Sequence, residues 1–154
     1  MHLLTKFKGF SDTGIELLNP FVLLIGRNGS GKTNAIEGIE LLARLAHGTA
    51  LGDITDVNTL AGQLQIRGGL QGCVDAKSKH FILGFRGGRV SKATNIFYQI
   101  EVKAGTGAAQ IARESLSFTD SKGKPRIFFE IVPDSEVNHA GAMRVKYDNF
   151  AQGG

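Results

Sequence analysis

The chain has 154 residues, 42% of them hydrophobic and 21% charged, values close to those of an ordinary globular domain, which excludes a disordered or low-complexity segment. That length holds one domain with a real core and leaves no room for two. The net charge of +4 is too small to argue by itself for a nucleic-acid partner, and a single cysteine, Cys73, excludes an internal disulfide framework and a cysteine-rich zinc site.

From the N-terminus, His2–Phe7 reads as a strand, followed by a turn through Gly9 and Asp12-Thr13-Gly14 and a second strand, Ile15–Leu18, so that the two form a hairpin. After Asn19-Pro20 comes Phe21-Val-Leu-Leu-Ile25, an apolar run with no alternation. Such a run predicts a strand covered on both faces, as in the middle of a parallel sheet. Even with Leu17 and Leu18 before it, the run is far short of the roughly 18–20 residues that span a bilayer. The N-terminus lacks a signal-peptide pattern, so the expected setting is the cytoplasm, with no membrane partner.

From Lys32 to His47 the spacing becomes helical, with Ile36, Ile39, Leu42, Ala43 and Ala46 on one stripe, Glu37, Glu40 and Arg44 opposite, and Gly48 in place to end the helix. Asp53–Gln65 reads as a second, shorter helix. From about residue 78 the pattern is β, in His80–Phe85, Asn95–Lys103, Ile111–Thr119, Arg126–Val132 and Met143–Tyr147, with glycine turns between several of these runs. This predicts an antiparallel meander over 78–150, preceded over 1–50 by the hairpin, the apolar strand and the helix.

Gly26-Arg27-Asn28-Gly29-Ser30-Gly31-Lys32-Thr33 matches the phosphate-binding loop G-x-x-x-x-G-K-[ST], between an expected strand and an expected helix. Its glycines let the backbone approach an anion closely. The N–H groups of about Asn28 to Thr33 then converge on a β-phosphate at the positive end of the helix dipole. Lys32 would reach the β- and γ-phosphates, and the Thr33 hydroxyl would ligate Mg2+. No Asn-Lys-x-Asp guanine motif is present, which favours ATP over GTP.

The loop, its continuation Asn34-Ala-Ile-Glu37, and the leading hairpin with Phe7-Lys8-Gly9-Phe10 at its bend resemble the N-terminal lobe of ABC-type ATPases. The similar groups are RecF, structural maintenance of chromosomes, overcoming-lysogenization-defect proteins and the AAA-type ATPases of bacterial defence systems. The resemblance is specific over about residues 3–48 and architectural beyond that. It implies an α/β P-loop NTPase fold of the ABC-type first lobe, with a buried P-loop strand, a helix and an antiparallel β meander. It places Lys8, Gly9 and Phe10 near the adenine and ribose, adds Asn34 to the phosphate loop, and makes Gln152 the candidate Q-loop residue on Mg2+. It implies ATP and Mg2+ as ligands, a homodimer or higher oligomer that sandwiches nucleotide, and control of DNA or of a nuclease partner.

The resemblance also implies parts that this stretch does not contain. A Walker B strand ending in Asp-Glu is missing; Ile127-Phe128-Phe129-Glu130 lacks the Asp and reads as a plain strand. The Leu-Ser-Gly-Gly-Gln signature is missing too, Leu60-Ala61-Gly62-Gln63 being one residue short. No catalytic residue is identified. Phe21–Ile25 also calls for parallel neighbours that the remaining strands do not supply. The expectation is therefore the N-terminal part of a longer ATPase head, or a split lobe completed by a second segment. A nucleotide-gated oligomerisation module without turnover is the alternative, and a small-molecule phosphotransferase is the weaker third reading.

Among smaller features, Arg67-Gly68-Gly69 and Arg86-Gly87-Gly88-Arg89 read as ordinary turns. Lys77, Lys79, Arg86, Arg89 and Lys92 are expected to cluster around one hairpin as a solvated, DNA-compatible face. The four histidines show no metal spacing, and the Cys73 thiol reads as buried or idle.

Overall fold

A computed structural model of the chain describes residues 1–17, 19, 21–57, 64–75, 77–90, 93–105, 107–133 and 142–147. The strands are β1 (His2–Phe7), β2 (Phe10–Ile15), β3 (Ile54–Thr55), β4 (Leu64–Gln65), β5 (His80–Arg86), β6 (Arg89–Val90), β7 (Ala93–Lys103), β8 (Gln110–Thr119), β9 (Pro125–Pro133) and β10 (Met143–Tyr147), and the helix α1 spans Lys32–Ala46. Eight strands form one antiparallel sheet in the order β10-β9-β8-β7-β5-β1-β2, with β6 paired to β7. The short β3 and β4 pair in parallel.

The β1–β2 hairpin turns at Lys8 and Gly9, where Phe7 pairs with Phe10 and the two turn residues have φ of 44° and 91°. Two successive positive φ values define the tight hairpin turn whose twist matches its strands. The second strand is therefore Phe10–Ile15 and not the expected Ile15–Leu18. Asp12, Thr13 and Gly14 lie inside it, because the turn is already complete at Gly9.

Helix α1 crosses one face of the sheet at β1 and β5, burying Ala35, Gly38, Leu41, Leu42 and Leu45. They join a core with Leu4, Phe7, Phe81, Leu83, Ile100 and Val102, in which Leu4 pairs with Leu83 and Leu83 with Ile100 across three neighbouring strands. Gly38 allows the close crossing: a Cβ there would lie 2.7 Å from Leu4 Cδ2 and 3.0 Å from Phe7 Cε1. The helix ends in a Schellman arrangement, Gly48 N–H donating to Leu45 O at 2.9 Å and Thr49 N–H to Arg44 O at 3.0 Å, with Gly48 at φ 84°.

Several expectations change. The buried helix face is rotated from the expected stripe: Ile36 is exposed, whereas Glu37, expected on the solvated side, is largely covered. The described part of the expected second helix is not helical: Leu51–Asp53 make one 3-10 turn, followed by β3, and Leu64–Gln65 form β4, while 58–63 lie outside the described residues. Among the described residues Phe21–Ile25 pairs with no strand, and Phe21, Leu23 and Ile25 are 81%, 66% and 84% exposed. The composition of the run asks for neighbours on both sides, but the described strands pair with one another elsewhere. Val22 and Leu24 instead line an apolar groove with Leu17, Ile36, Ile39 and Ala43 beside α1.

Candidate functional site

The phosphate-binding motif forms the turn into α1. Ser30 N–H donates to Arg27 O at 3.2 Å, Gly29 and Gly31 take φ of 81° and 91°, and Gly31 is the N-cap residue, with no side-chain cap. The first intrahelical bond runs from Ala35 N–H to Gly31 O at 2.9 Å. The N–H groups ahead of it therefore have no intrahelical acceptor and sit at the positive end of the helix. A Cβ on Gly26 would lie 2.7 Å from Ser30 Oγ, and one on Gly31 would lie 3.1 Å from Phe10 Cζ. At Gly26 the clash is with a serine hydroxyl that can turn away, whereas Gly31 is held to glycine by its φ and is crowded by the Phe10 ring as well.

Lys32 folds over its own loop, Nζ donating to Gly26 O at 2.7 Å and to Arg27 O at 2.8 Å. Neutral carbonyls are weaker partners for an ammonium than charged phosphate oxygens. Asn28, Gly29, Ser30, Gly31, Lys32, Thr33 and Asn34 line a cavity of about 410 Å³, and Arg67 lines it with them.

Arg67 stands on the turn after β4, with Gly68 and Gly69 at φ of 77° and 57° and Gly69 N–H bonded to Ile66 O at 2.8 Å. Its Nη2 donates to Asn34 Oδ1 at 2.9 Å and its Nε to Glu37 Oε1 at 2.8 Å. The other carboxylate oxygen of Glu37 accepts from Lys8 Nζ at 2.5 Å, and Lys8 Nζ also donates to Arg67 O at 2.9 Å. Asn34 Nδ2 closes the cluster on Lys8 O at 3.1 Å. Burial pushes the Glu37 carboxyl upward, but the hydrogen bonds and charges of Arg67 and Lys8 outweigh it and hold the group below its ordinary range.

The hairpin bend therefore meets the phosphate loop through two contacts, Phe10 against Gly31 and Lys8 O with Asn34. Lys8 itself is turned to Glu37, its side chain only 6% exposed, and Gly9 serves the turn. Gln152 and Leu60–Gln63 lie outside the described residues. Glu130, the one acid of the Ile127–Glu130 segment, forms an ion pair with Arg113 on the meander. The expected basic cluster is divided: Lys77 and Lys79 precede β5, whereas Arg86 ends it and Arg89 follows, and Lys92 lies outside the described residues. At about 3.3 Å per residue a seven-residue strand keeps the two groups some 20 Å apart.

Sequence reasoning missed Arg67. Its Gly-Gly turn was legible, but not that the turn delivers the arginine to the phosphate cavity. A usable signal was Asn34 and Glu37 at i,i+3, two polar groups on one helix face immediately after the loop.

The donor set fits an oligophosphate with a hard cation. Backbone N–H groups, Lys32 and Arg67 surround the cavity, and Thr33 offers a hydroxyl oxygen. No carboxylate is among the lining residues described, and no group of three or more acidic, histidine or cysteine side chains that could hold a metal occurs among the described residues. No described helix is long and apolar enough to cross a membrane.

Comparison with known proteins agrees with this geometry. A stretch of 64 residues, 42% of the chain, is 36% identical to the DNA replication and repair protein RecF of Nocardioides sp. (strain ATCC BAA-499 / JS614), and it covers 15% of that protein. No solved structure matches the chain significantly. Residues 21–136 match the family described as "AAA domain, putative AbiEii toxin, Type IV TA system". The chain belongs to that AAA family, within the ABC-type, RecF-like group of P-loop ATPases.

Proposed function

We propose that this chain is the nucleotide-binding first lobe of a RecF-like ATPase, which binds ATP with Mg2+ in the Gly26–Thr33 loop. One observation carries the reading: a cavity at an uncapped helix N-terminus, lined by the glycine loop, Lys32, Thr33 and Arg67. On binding, the Lys32 ammonium exchanges the carbonyls of Gly26 and Arg27 for phosphate oxygens, and Arg67 adds a second cation at the rim. Thr33 would hold Mg2+, which when bound would neutralise phosphate charge.

In ABC-type ATPases a carboxylate orients the attacking water, and the described lining contains none. In this reading the carboxylate, together with parallel strands for Phe21–Ile25, comes from a further segment or a partner chain. Support comes from the exposed apolar run and its groove of about 540 Å³ beside α1. Engagement of a second copy around ATP would then gate DNA or a nuclease partner, in DNA repair or anti-phage defence, in the cytoplasm.

The lining without a carboxylate also supports the second reading, a module that uses ATP to hold an oligomer together without turnover. Light scattering with and without Mg-ATP, on the sample assayed for phosphate release, separates the two. ATP-dependent association with release supports the ATPase, and association without release supports the module. Failure to bind nucleotide contradicts both.

A further inference from the structure

Helix α1 carries Glu37 one turn beyond the phosphate loop, outside the cavity lining. The nucleotide does not require this carboxylate directly, yet its two oxygens hold two different cations. Oε1 accepts from Arg67 Nε at 2.8 Å and Oε2 from Lys8 Nζ at 2.5 Å. The Glu37 and Lys8 side chains are 14% and 6% exposed, whereas the Arg67 side chain is 54% exposed.

An arginine half in solvent on a two-glycine turn samples many rotamers, and fixing one costs entropy when a ligand demands it. Here Glu37 and Asn34 take up Nε and Nη2, and of the guanidinium nitrogens only Nη1 has no partner among the described residues. The remaining donor capacity lies on a side chain that lines the phosphate cavity. Lys8 anchors the carboxylate itself, because its ammonium also bonds the Arg67 carbonyl and so ties the β1–β2 turn to the arginine at both ends.

We propose that Glu37 is a positioning residue for nucleotide binding: it fixes Arg67 at the rim of the Gly26–Thr33 cavity, with Lys8 as the anchor of the carboxylate. The proposal rests on the nucleotide-binding reading and deepens it. Its chemistry is that of a preorganised cation for an oligophosphate, with the ordering done before the ligand arrives.

The test is a double-mutant cycle in ATP affinity, measured by calorimetry on the full chain for wild type, Glu37→Gln, Arg67→Ala and the double variant, with Lys32→Ala alongside. Arg67→Ala should weaken ATP about tenfold, or about 1.4 kcal/mol. Glu37→Gln should weaken it by a similar factor, and should add nothing in the Arg67→Ala background. A structural ion pair would give the opposite pattern. If Glu37→Gln weakens ATP equally with and without Arg67, or leaves ATP affinity unchanged while Arg67→Ala lowers it, the proposal is overturned.

Lys8 is left unpaired in Glu37→Gln, so should that variant not fold, Lys8→Met/Glu37→Gln removes both charges and is compared with and without Arg67→Ala in the same way. Wild type that binds no ATP, or Lys32→Ala that binds as well as wild type, overturns the nucleotide-binding reading and this proposal with it. Loss of binding in Lys32→Ala with no effect of Glu37 overturns this proposal alone.

Discussion

The Phe10 ring lies against Gly31, so closely that a Cβ on the glycine would sit 3.1 Å from Phe10 Cζ. The hairpin bend thus supports the phosphate loop from a strand that is itself part of the sheet. The contact distinguishes two glycines of one motif: Gly29 and Gly31 both have positive φ, but a Cβ on Gly29 meets nothing within 4 Å. Gly29→Ala should cost only the left-handed backbone term, about 1–2 kcal/mol. Gly31→Ala should cost more in urea denaturation and should weaken ATP further than Gly29→Ala does. Adding Phe10→Ala to Gly31→Ala should narrow the gap in ATP affinity. Equal losses for the two glycines would mean that Phe10 does not constrain the loop.

Glu37 ties pH to stability with a definite sign. Its carboxyl is held below the ordinary value of 4.5, so its contribution is fully present above that value and is lost as pH falls through the folded-state value. At pH 7 Glu37→Gln should destabilise by about 2 kcal/mol, the range for hydrogen bonds to charged groups. The gap to wild type should shrink as the pH drops below 4.5. A gap that stays constant or widens in acid would show that the carboxylate is not the stabilising form.

Gly38 sits where α1 crosses β1, and a methyl there would press on Leu4 and Phe7. Alanine gains about 1 kcal/mol of helix propensity but meets overpacking of about 1–3 kcal/mol. Gly38→Ala should therefore destabilise by roughly 1 kcal/mol, and Gly38→Leu should prevent folding. Thermal melts followed by circular dichroism read both, and a stabilised Gly38→Ala would place the helix farther from the sheet.

Cys73 is fully buried, its Sγ bonded to Gly69 O at 3.3 Å, and burial pushes the thiol up to about 12. The thiolate is the reactive form, so alkylation at pH 8 should be slow in the native chain and fast in denaturant. Rapid native labelling at pH 8 would contradict the burial.

The exposed side of the apolar run is a separate test. Because Phe21, Leu23 and Ile25 contribute little to the core of this chain, Phe21→Ser, Leu23→Ser and Ile25→Ser together should leave its melting midpoint unchanged. The same triple variant should impair assembly with any segment that completes the sheet. A large drop in the midpoint would show that the run is already packed.

Legibility in the sequence followed the range of the interactions involved. The loop at Gly26–Thr33, the helix after it and its Gly48 stop depend on neighbouring residues, and the long β5, β7, β8 and β9 carry enough apolar content to be read from their own segments. The Phe10–Ile15 strand was misplaced because Asp12-Thr13-Gly14 has turn chemistry, while the actual turn is set by positive φ at Lys8, a residue with no turn signature. Phe21–Ile25 was misread for the opposite reason: its composition states what it needs, and the described residues do not provide it. Arg67 and the buried side of Glu37 depend on contacts 59 and 30 residues apart along the chain, of which the local trace is the pair of polar groups Asn34 and Glu37 on one helix face.

The most direct test of the central claim is ATP affinity of wild type and Lys32→Ala by calorimetry in Mg2+ buffer, with melting midpoints measured on the same samples. Among the described residues Lys32 bonds only its own loop, so the variant should melt within a few degrees of wild type and lose ATP binding by about a hundredfold or more. Undiminished ATP binding in a folded Lys32→Ala chain would contradict the assignment of Gly26–Thr33 as the nucleotide site.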